Sequence, residues 1–268
     1  EEKIFYKHKL NPVINSVNQL KKWLMFLKNK KKNRLIIHFD TGMCRLGIQE
    51  KDIKEVIKLK TQIDKFKEVI IMSHLACAGE KKDPFNEIQR KKFEKIKTLL
   101  PGYKYSLAAS GGIFLGKKYH YDLVRPGINL YGGSKSYNKN LKHVVSLKSP
   151  IIQINELKKG QTAGYSRTFK AKKNMTTATI PMGYADGIGI RLSNKGFVHF
   201  KNKKLPMLGR ISMDLIIIDI TKVKNKIKIG DFVYLYNDLF TIDDFAKLTG
   251  TIPYRIITCI SKRYIKNY

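Results

Sequence analysis

Arg34-Leu-Ile-Ile-His-Phe-Asp40, closed at once by Thr41-Gly42, is an apolar run too short for a helix and reads as a buried strand ending in a turn. On its N-terminal side Val13, Val17, Leu20, Leu24 and Leu27 recur at three- and four-residue steps, which predicts an amphipathic helix. On its C-terminal side the alternation continues, with a helix near residues 52–61, a strand over Glu68–Leu75 and a helix over Pro84–Leu100. A strand over Tyr103–Ala108, a helical turn at Ile113–Gly116 and a strand over Asp122–Tyr131 follow. Strands that alternate with helices pair in parallel, because each needs a long right-handed return to lie beside its neighbour. The first half is therefore expected to be part of an α/β barrel or of an open doubly wound sheet.

From about Val144 the texture changes to short strands and turns, punctuated by Gly160, Gly164, Gly183, Gly187, Gly196, Gly209 and Gly230. Phe197–Phe200 and Leu205–Leu208 flank Lys201-Asn-Lys-Lys204 as a hairpin. Thr241-Ile-Asp-Asp244 is a capping box that should open the one helix of this region. Two domains are expected, residues 1–143 and residues 144–268.

The bulk properties narrow the class. A chain of 268 residues with 43% hydrophobic and 28% charged residues is globular. No apolar run approaches the ~20 residues of a bilayer span, and Glu1–His8 has no apolar segment behind a basic start, so a cytoplasmic protein is expected. Cys44, Cys77 and Cys259 lie far apart with no C-x-x-C pairing, which predicts unpaired, buried or partly exposed thiols and no metal. The formal charge of +32 would attract a polyanion. Most of that charge is lysine spread through helices and turns such as Lys28–Asn33, without the arginine-rich stripe of a nucleic-acid reader. Nucleic acid is thus not the expected partner, although a non-enzymatic basic surface holding a polyanion stays open as a competing reading.

The unusual polar residues of the first half share a position, just past the ends of expected strands, where a parallel barrel gathers its active-site loops. Arg45 follows the first strand, His74 the second, Ser110-Gly111-Gly112 the third, and Arg125-Pro-Gly-Ile128 belongs to the fourth. Ser110 and its glycines could form an anion nest or an ordinary turn. Arg125 could pair with a core carboxylate, and His74 could be a structural histidine.

Five blocks carry a resemblance. Asp40-Thr-Gly-Met-x-Arg45-Leu-Gly47, Val124-Arg-Pro-Gly-Ile-x-Leu-Tyr-Gly132, Gly164-Tyr-Ser-Arg-Thr-Phe169, Pro181-x-Gly-Tyr-Ala-Asp-Gly187 and Gly209-Arg-Ile-Ser-Met-Asp214 resemble, in order, the signature blocks of bacterial alanine racemases. The resemblance implies the C-terminal part of a (β/α)8 TIM-type barrel followed by a mainly β domain. It also implies a pyridoxal 5′-phosphate enzyme that interconverts L- and D-alanine and supplies D-alanine for peptidoglycan, with a broad-specificity amino-acid racemase as the nearest alternative.

Carried over by motif, Ser110, Gly127, Ile128 and Tyr254 would hold the cofactor phosphate. His74 would lie against the pyridine ring and Arg125 would bond the ring nitrogen, while Arg45 and the Met213 main chain would meet the substrate carboxylate. Tyr165 would be one of two catalytic bases and would come from a partner subunit, implying a homodimer; without its motif it would be read as one more tyrosine of a β core. A phenol needs hydrogen bonds or nearby positive charge to serve as a base at neutral pH. Several positions depart from the family. Ala109 stands for an asparagine, His38 for a modified lysine of some members, Gly79 for an acid at the substrate entrance and Arg255 for a glutamate. No lysine has the neighbours of the family's Schiff-base lysine, so the chain is expected to be N-terminally truncated and inactive by itself.

Overall fold

Ser16 sets where the first long helix begins. Its backbone is extended and its Oγ accepts the Gln19 N–H at 3.2 Å, an N-cap that satisfies one of the free donors of the first turn. Val13 and Ile14, expected in that helix, fall outside it and pair as a short strand with Ile36 and Ile37. The computed structural model describes residues 1–267 apart from Lys135, Ser136 and Lys139, and divides into two units, Glu1–Gly127 and Ile128–Tyr268.

The first unit runs α1 (Glu2–Lys7), β1 (Val13–Ile14), α2 (Val17–Phe26), β2 (Arg34–His38), α3 (Ile53–Lys58) and α4 (Lys60–Ile63). It continues through β3 (Glu68–Met72), α5 (Phe85–Leu99), β4 (Lys104–Ser106) and α6 (Ser110–Ile113). The four strands form one parallel sheet in the order β1-β2-β3-β4. Leu35, Ile37, Val69 and Ile71 bury against Leu20, Trp23 and Leu24 of α2 and Phe93 and Ile96 of α5. Each such side chain contributes roughly 1.5–3 kcal/mol through loss of apolar surface to water. Because the strands are parallel, the loops after His38, Met72 and Ser106 emerge at one edge.

Two expectations are corrected here. No strand spans Asp122–Tyr131: a single bridge joins Arg125 to Ala109, and Ile128–Tyr131 is a 3-10 turn. Pro126 has no N–H to give to a ladder, and Tyr121 at φ 52° turns the chain just before it. The helical turn begins at Ser110, since Ile113 already donates to the Ala109 carbonyl at 3.1 Å.

The second unit comprises β5 (Leu147–Pro150), β6 (Gln153–Leu157), β7 (Thr162–Ala163), β8 (Phe169–Lys170), β9 (Met175–Ile180), β10 (Phe197–Phe200) and β11 (Lys203–Leu208). After these come β12 (Ile216–Asp219), β13 (Phe232–Tyr236), α7 (Ile242–Thr249) and α8 (Pro253–Thr258). Seven strands pair antiparallel in the order β5-β13-β10-β11-β12-β9-β6, and β7 and β8 make a separate hairpin. Ile180, Val198, Ile216, Ile218, Val233, Leu235 and Phe245 are among the residues of their own core.

The hairpin read from Phe197–Leu208 is β10 and β11, with Phe200 facing Lys203. The capping box forms as read: Thr241 N donates to Asp244 Oδ2 at 2.9 Å while the Thr241 side chain accepts from Asp244 N. The expectation of one helix in this region is corrected to two. Gly250 at φ 67° ends α7, and Pro253, whose φ is already helical, opens α8. Among the described residues no helix is long and apolar enough to cross a membrane. Cys44 and Cys259 are exposed free thiols and Cys77 is half-buried.

Candidate active site

The loop after β2 is built around Asp40. Its Oδ1 accepts the Gly42 N–H at 2.8 Å and the Cys44 N–H at 3.1 Å, while Asp40 N donates to the Ile48 carbonyl and Ile48 N to the His38 carbonyl. The loop therefore returns to its own strand, which requires Gly47 at φ 117°: a Cβ there would lie 2.6 Å from Asp40 N. Arg45 is carried, exposed, on this tight loop at the C-terminal edge of the sheet.

Beneath the loop lies a buried polar network. Gln89 Nε2 donates to Thr41 Oγ1 at 3.1 Å and to the His74 carbonyl at 3.0 Å, and its Oε1 accepts from Ala76 N at 2.8 Å. Thr41 Oγ1 in turn meets Ser73 Oγ at 2.8 Å. One glutamine on α5 thus fixes the loop that bears Arg45 and the strand end that bears His74.

Arg125 sits between β3 and β4. Its Nη1 reaches the Ser106 carbonyl at 2.9 Å and Ser106 Oγ at 2.6 Å, and its Nη2 reaches the Ser73 carbonyl at 2.6 Å, the Leu107 carbonyl at 3.3 Å and His74 Nδ1 at 3.4 Å. The core carboxylate that sequence alone offered as a partner is not there: among the described residues its partners are carbonyls, a hydroxyl and an imidazole. Burial pushes the guanidinium down to about 10, which still leaves it protonated at neutral pH. Burial and then the charges of Arg125, Arg45 and His38 push His74 down to about 4, so its ring is neutral at pH 7. A guanidinium can only donate, so His74 Nδ1 accepts and the ring proton lies on Nε2.

Ser110 is buried at the start of α6, no side chain caps that turn, and Ser110 Oγ accepts the Gly127 N–H at 2.8 Å. A side chain at Gly111 would press on the Ala78 carbonyl at 2.9 Å, so the backbone passes closer than other residues allow. Arg45, His74, Ser110, Arg125 and Gly127 thus belong to one edge of the first unit, where hydrogen bonds tie Arg125 to His74 and Gly127 to Ser110.

The remaining site residues belong to the second unit. Ile128 is buried in its core. Tyr165, 69% exposed, stands at the tip of the β7–β8 hairpin, where Gly164, Ser166 and Arg167 all have positive φ. That tip rests on the next block, since a Cβ on Gly164 would lie 2.9 Å from Arg210 N. Met213, also exposed, accepts the Ala185 N–H at 3.0 Å through its carbonyl, and Tyr254 is half out of α8. The blocks around Tyr165, Gly183–Gly187 and Gly209–Asp214 are therefore fastened to one another within this unit.

Sequence reasoning missed three residues of these arrangements. Gln89 had a signal, a polar residue in the buried stripe of α5 with Phe93 and Ile96. Asp40 lay inside a quoted block without its capping part being seen. Arg263, which holds Asp186 and Asp214, gave none, because an exposed arginine in a basic tail looks like any other.

The model described as alanine racemase, N-terminal domain, matches residues 1–135, and that described as alanine racemase, C-terminal domain, matches residues 144–268. An alanine racemase of Rickettsia bellii is 40% identical over 98% of this chain and 65% of its own length; one of Rhizobium meliloti is 34% identical over 100% and 74%. The crystal structure of alanine racemase from Bartonella henselae with covalently bound pyridoxal phosphate superposes with a TM-score of 0.91 at 39% identity, covering 100% of this chain and 75% of that one. This chain thus spans between 65% and 75% of these relatives. With barrel-edge residues and β-domain blocks both in place, and with both domain models and these relatives matched, the chain belongs to the alanine racemase family.

Proposed function

We propose that the protein racemises alanine with pyridoxal 5′-phosphate, in the cytoplasm and as a homodimer, supplying D-alanine for peptidoglycan. The observation that carries this reading is the half-buried Arg125 guanidinium, which touches a neutral His74 and is balanced by no carboxylate among the described residues. Such an uncompensated cation suits an unprotonated ring nitrogen, and the uncapped Ser110-Gly-Gly turn suits a phosphate, so the donor set fits the cofactor. When bound, pyridoxal phosphate supplies the electron sink that stabilises negative charge at the substrate α-carbon.

In this reading Arg125 would donate a hydrogen bond to the ring nitrogen without surrendering its proton, and the neutral His74 would lie against the ring. Ser110 Oγ, already accepting from Gly127, would donate a hydrogen bond to a phosphate oxygen, and Ile128 and Tyr254 would complete that end. Arg45 and the Met213 main chain orient the substrate carboxylate. Racemisation needs a base on each face of the α-carbon, and Tyr165 Oη takes or returns the proton on one of them. Its exposure on a rigid hairpin tip supports a tyrosine offered to a second copy of the chain. No lysine within residues 1–268 is assigned to the other face.

The test uses the protein purified with all the sequence its gene encodes. It should take up pyridoxal phosphate, with a visible absorbance band, and racemise alanine faster than serine or lysine. Tyr165→Phe should retain the band and thermal stability while losing on the order of 100-fold or more in turnover. A protein that binds no pyridoxal phosphate, or a phenylalanine variant with full turnover, refutes the proposal.

A further inference from the structure

Arg263 lies beyond α8, outside every sequence block that carried the resemblance, yet it makes three contacts to two of them. Its Nε and Nη2 both reach Asp186 Oδ1, at 3.0 and 2.8 Å, and its Nη1 reaches Asp214 Oδ1 at 2.7 Å. Asp186 is only 5% exposed, and its second oxygen accepts the Gly183 N–H at 2.9 Å. Among the described residues Arg263 is the one cation that pairs with this buried carboxylate. A buried charge that loses its partner is far more costly than an exposed one.

What the pair of carboxylates frames is the segment around Met213. The turn Gly183–Gly187 lies directly on it: Tyr184 N donates to the Ser212 carbonyl at 3.1 Å and Ala185 N to the Met213 carbonyl at 3.0 Å. Gly183 lies so close that any Cβ would collide with both carbonyl oxygens. Two main-chain bonds therefore clasp the Met213 segment through its carbonyls, and one guanidinium joins Asp186 of the turn to Asp214, the residue after Met213. The planar fork of an arginine can span two carboxylates in a fixed geometry, which the single ammonium of a lysine cannot.

We infer that Arg263 is a positioning residue, locking the Gly183–Gly187 turn to Asp214 so that the Met213 main chain is held ready for the substrate carboxylate. The substrate part of this statement rests on the proposed function; the locking does not. A contact made equally in ground and transition states governs KM more than kcat.

Two arms test it in the protein purified with its full encoded sequence. In Arg263→Lys, which keeps a positive charge for Asp186, and in Asp214→Asn, which removes an exposed group, the thermal midpoint should stay near wild type. Amide exchange at Tyr184 and Ala185 should nevertheless quicken by about tenfold or more, while exchange in β9 and β12 is unchanged. In the same variants KM for alanine should rise by about tenfold with kcat within about twofold, and the double variant should be no worse than either single one. Unchanged exchange at Tyr184 and Ala185, acceleration spread over the whole β unit, or a KM equal to wild type would each overturn the inference. If the unmutated protein racemises no amino acid, the proposed function fails by that result, and the exchange arm alone decides whether Arg263 locks the Met213 segment.

Discussion

Gln89 offers the sharpest test of how the sheet edge is held. It is 0% exposed and lies on the buried stripe of α5 with Phe93 and Ile96. Gln89→Leu keeps nearly the same volume but leaves the Ala76 N–H and the His74 carbonyl without their partner, while Thr41 retains Ser73. Two main-chain groups stranded in this way cost roughly 1–3 kcal/mol each, and the added apolar burial returns part of that, so the expected net loss is about 3 kcal/mol. Gln89→Glu separates hydrogen bonding from packing. An ionised glutamate can still accept from Ala76 but has no proton for His74 or Thr41, so its folded pKa is raised above the unfolded value of about 4.3. The folded state then binds more protons than the unfolded one between those values. The added penalty should be absent below about pH 4 and grow as pH rises through the raised pKa. Urea unfolding can be followed by the fluorescence of Trp23, the single tryptophan, which is buried in the same core. A leucine variant less than about 1 kcal/mol below wild type, or a glutamate variant whose penalty is equal at pH 4.5 and pH 7.5, refutes the network as the organiser of this edge.

The other outcomes concern charge and contact. His74 should titrate near 4 by NMR, so the stability of its neutral form is complete above pH 6.5 and lost as pH falls toward 4; Arg125→Met should raise that value, and a wild-type His74 titrating near 6.5 refutes the assignment. Gly183→Ala should lower the unfolding midpoint by the equivalent of about 2 kcal/mol, because its Cβ must part the turn from the Ser212 and Met213 carbonyls, and an unchanged midpoint refutes that contact.

What was legible in the sequence followed from short-range pattern. β2, β3, α5 and the β10–β11 hairpin each announce themselves by an apolar period bounded by turn residues, and Thr241 with Asp244 announces α7. β1 was missed because its two residues continue the three- and four-step rhythm of α2; only Ser16, read as a cap, separates them. Asp122–Tyr131 was misread because its apolar residues suit a strand while Pro126 removes a ladder donor. In the site, Arg45, His74, Ser110 and Arg125 were legible because a parallel sheet collects its strand ends. Gln89 and Arg263 act on partners 48 and 77 residues away, a separation that no local periodicity encodes.

The electrostatics of the sheet edge give its chemistry a direction. Two acidic side chains of this unit are already committed to main-chain donors: Asp40 to Gly42 and Cys44, and Asp122 Oδ2 to Tyr105 N at 2.8 Å. Arg125 is solvated by carbonyl dipoles instead of by an anion, and Arg45 stands exposed beside it. Neutral partners stabilise a buried guanidinium enough to keep it protonated but leave its net charge in place, and field lines from that charge spread through low-dielectric surroundings. The depressed pKa of His74 comes first from its burial, and the charges of Arg125 and Arg45 add to it by opposing a further proton there. An edge with surplus positive charge and uncapped backbone donors favours ligands that bring negative charge with them, and a phosphorylated cofactor and an amino-acid carboxylate both do.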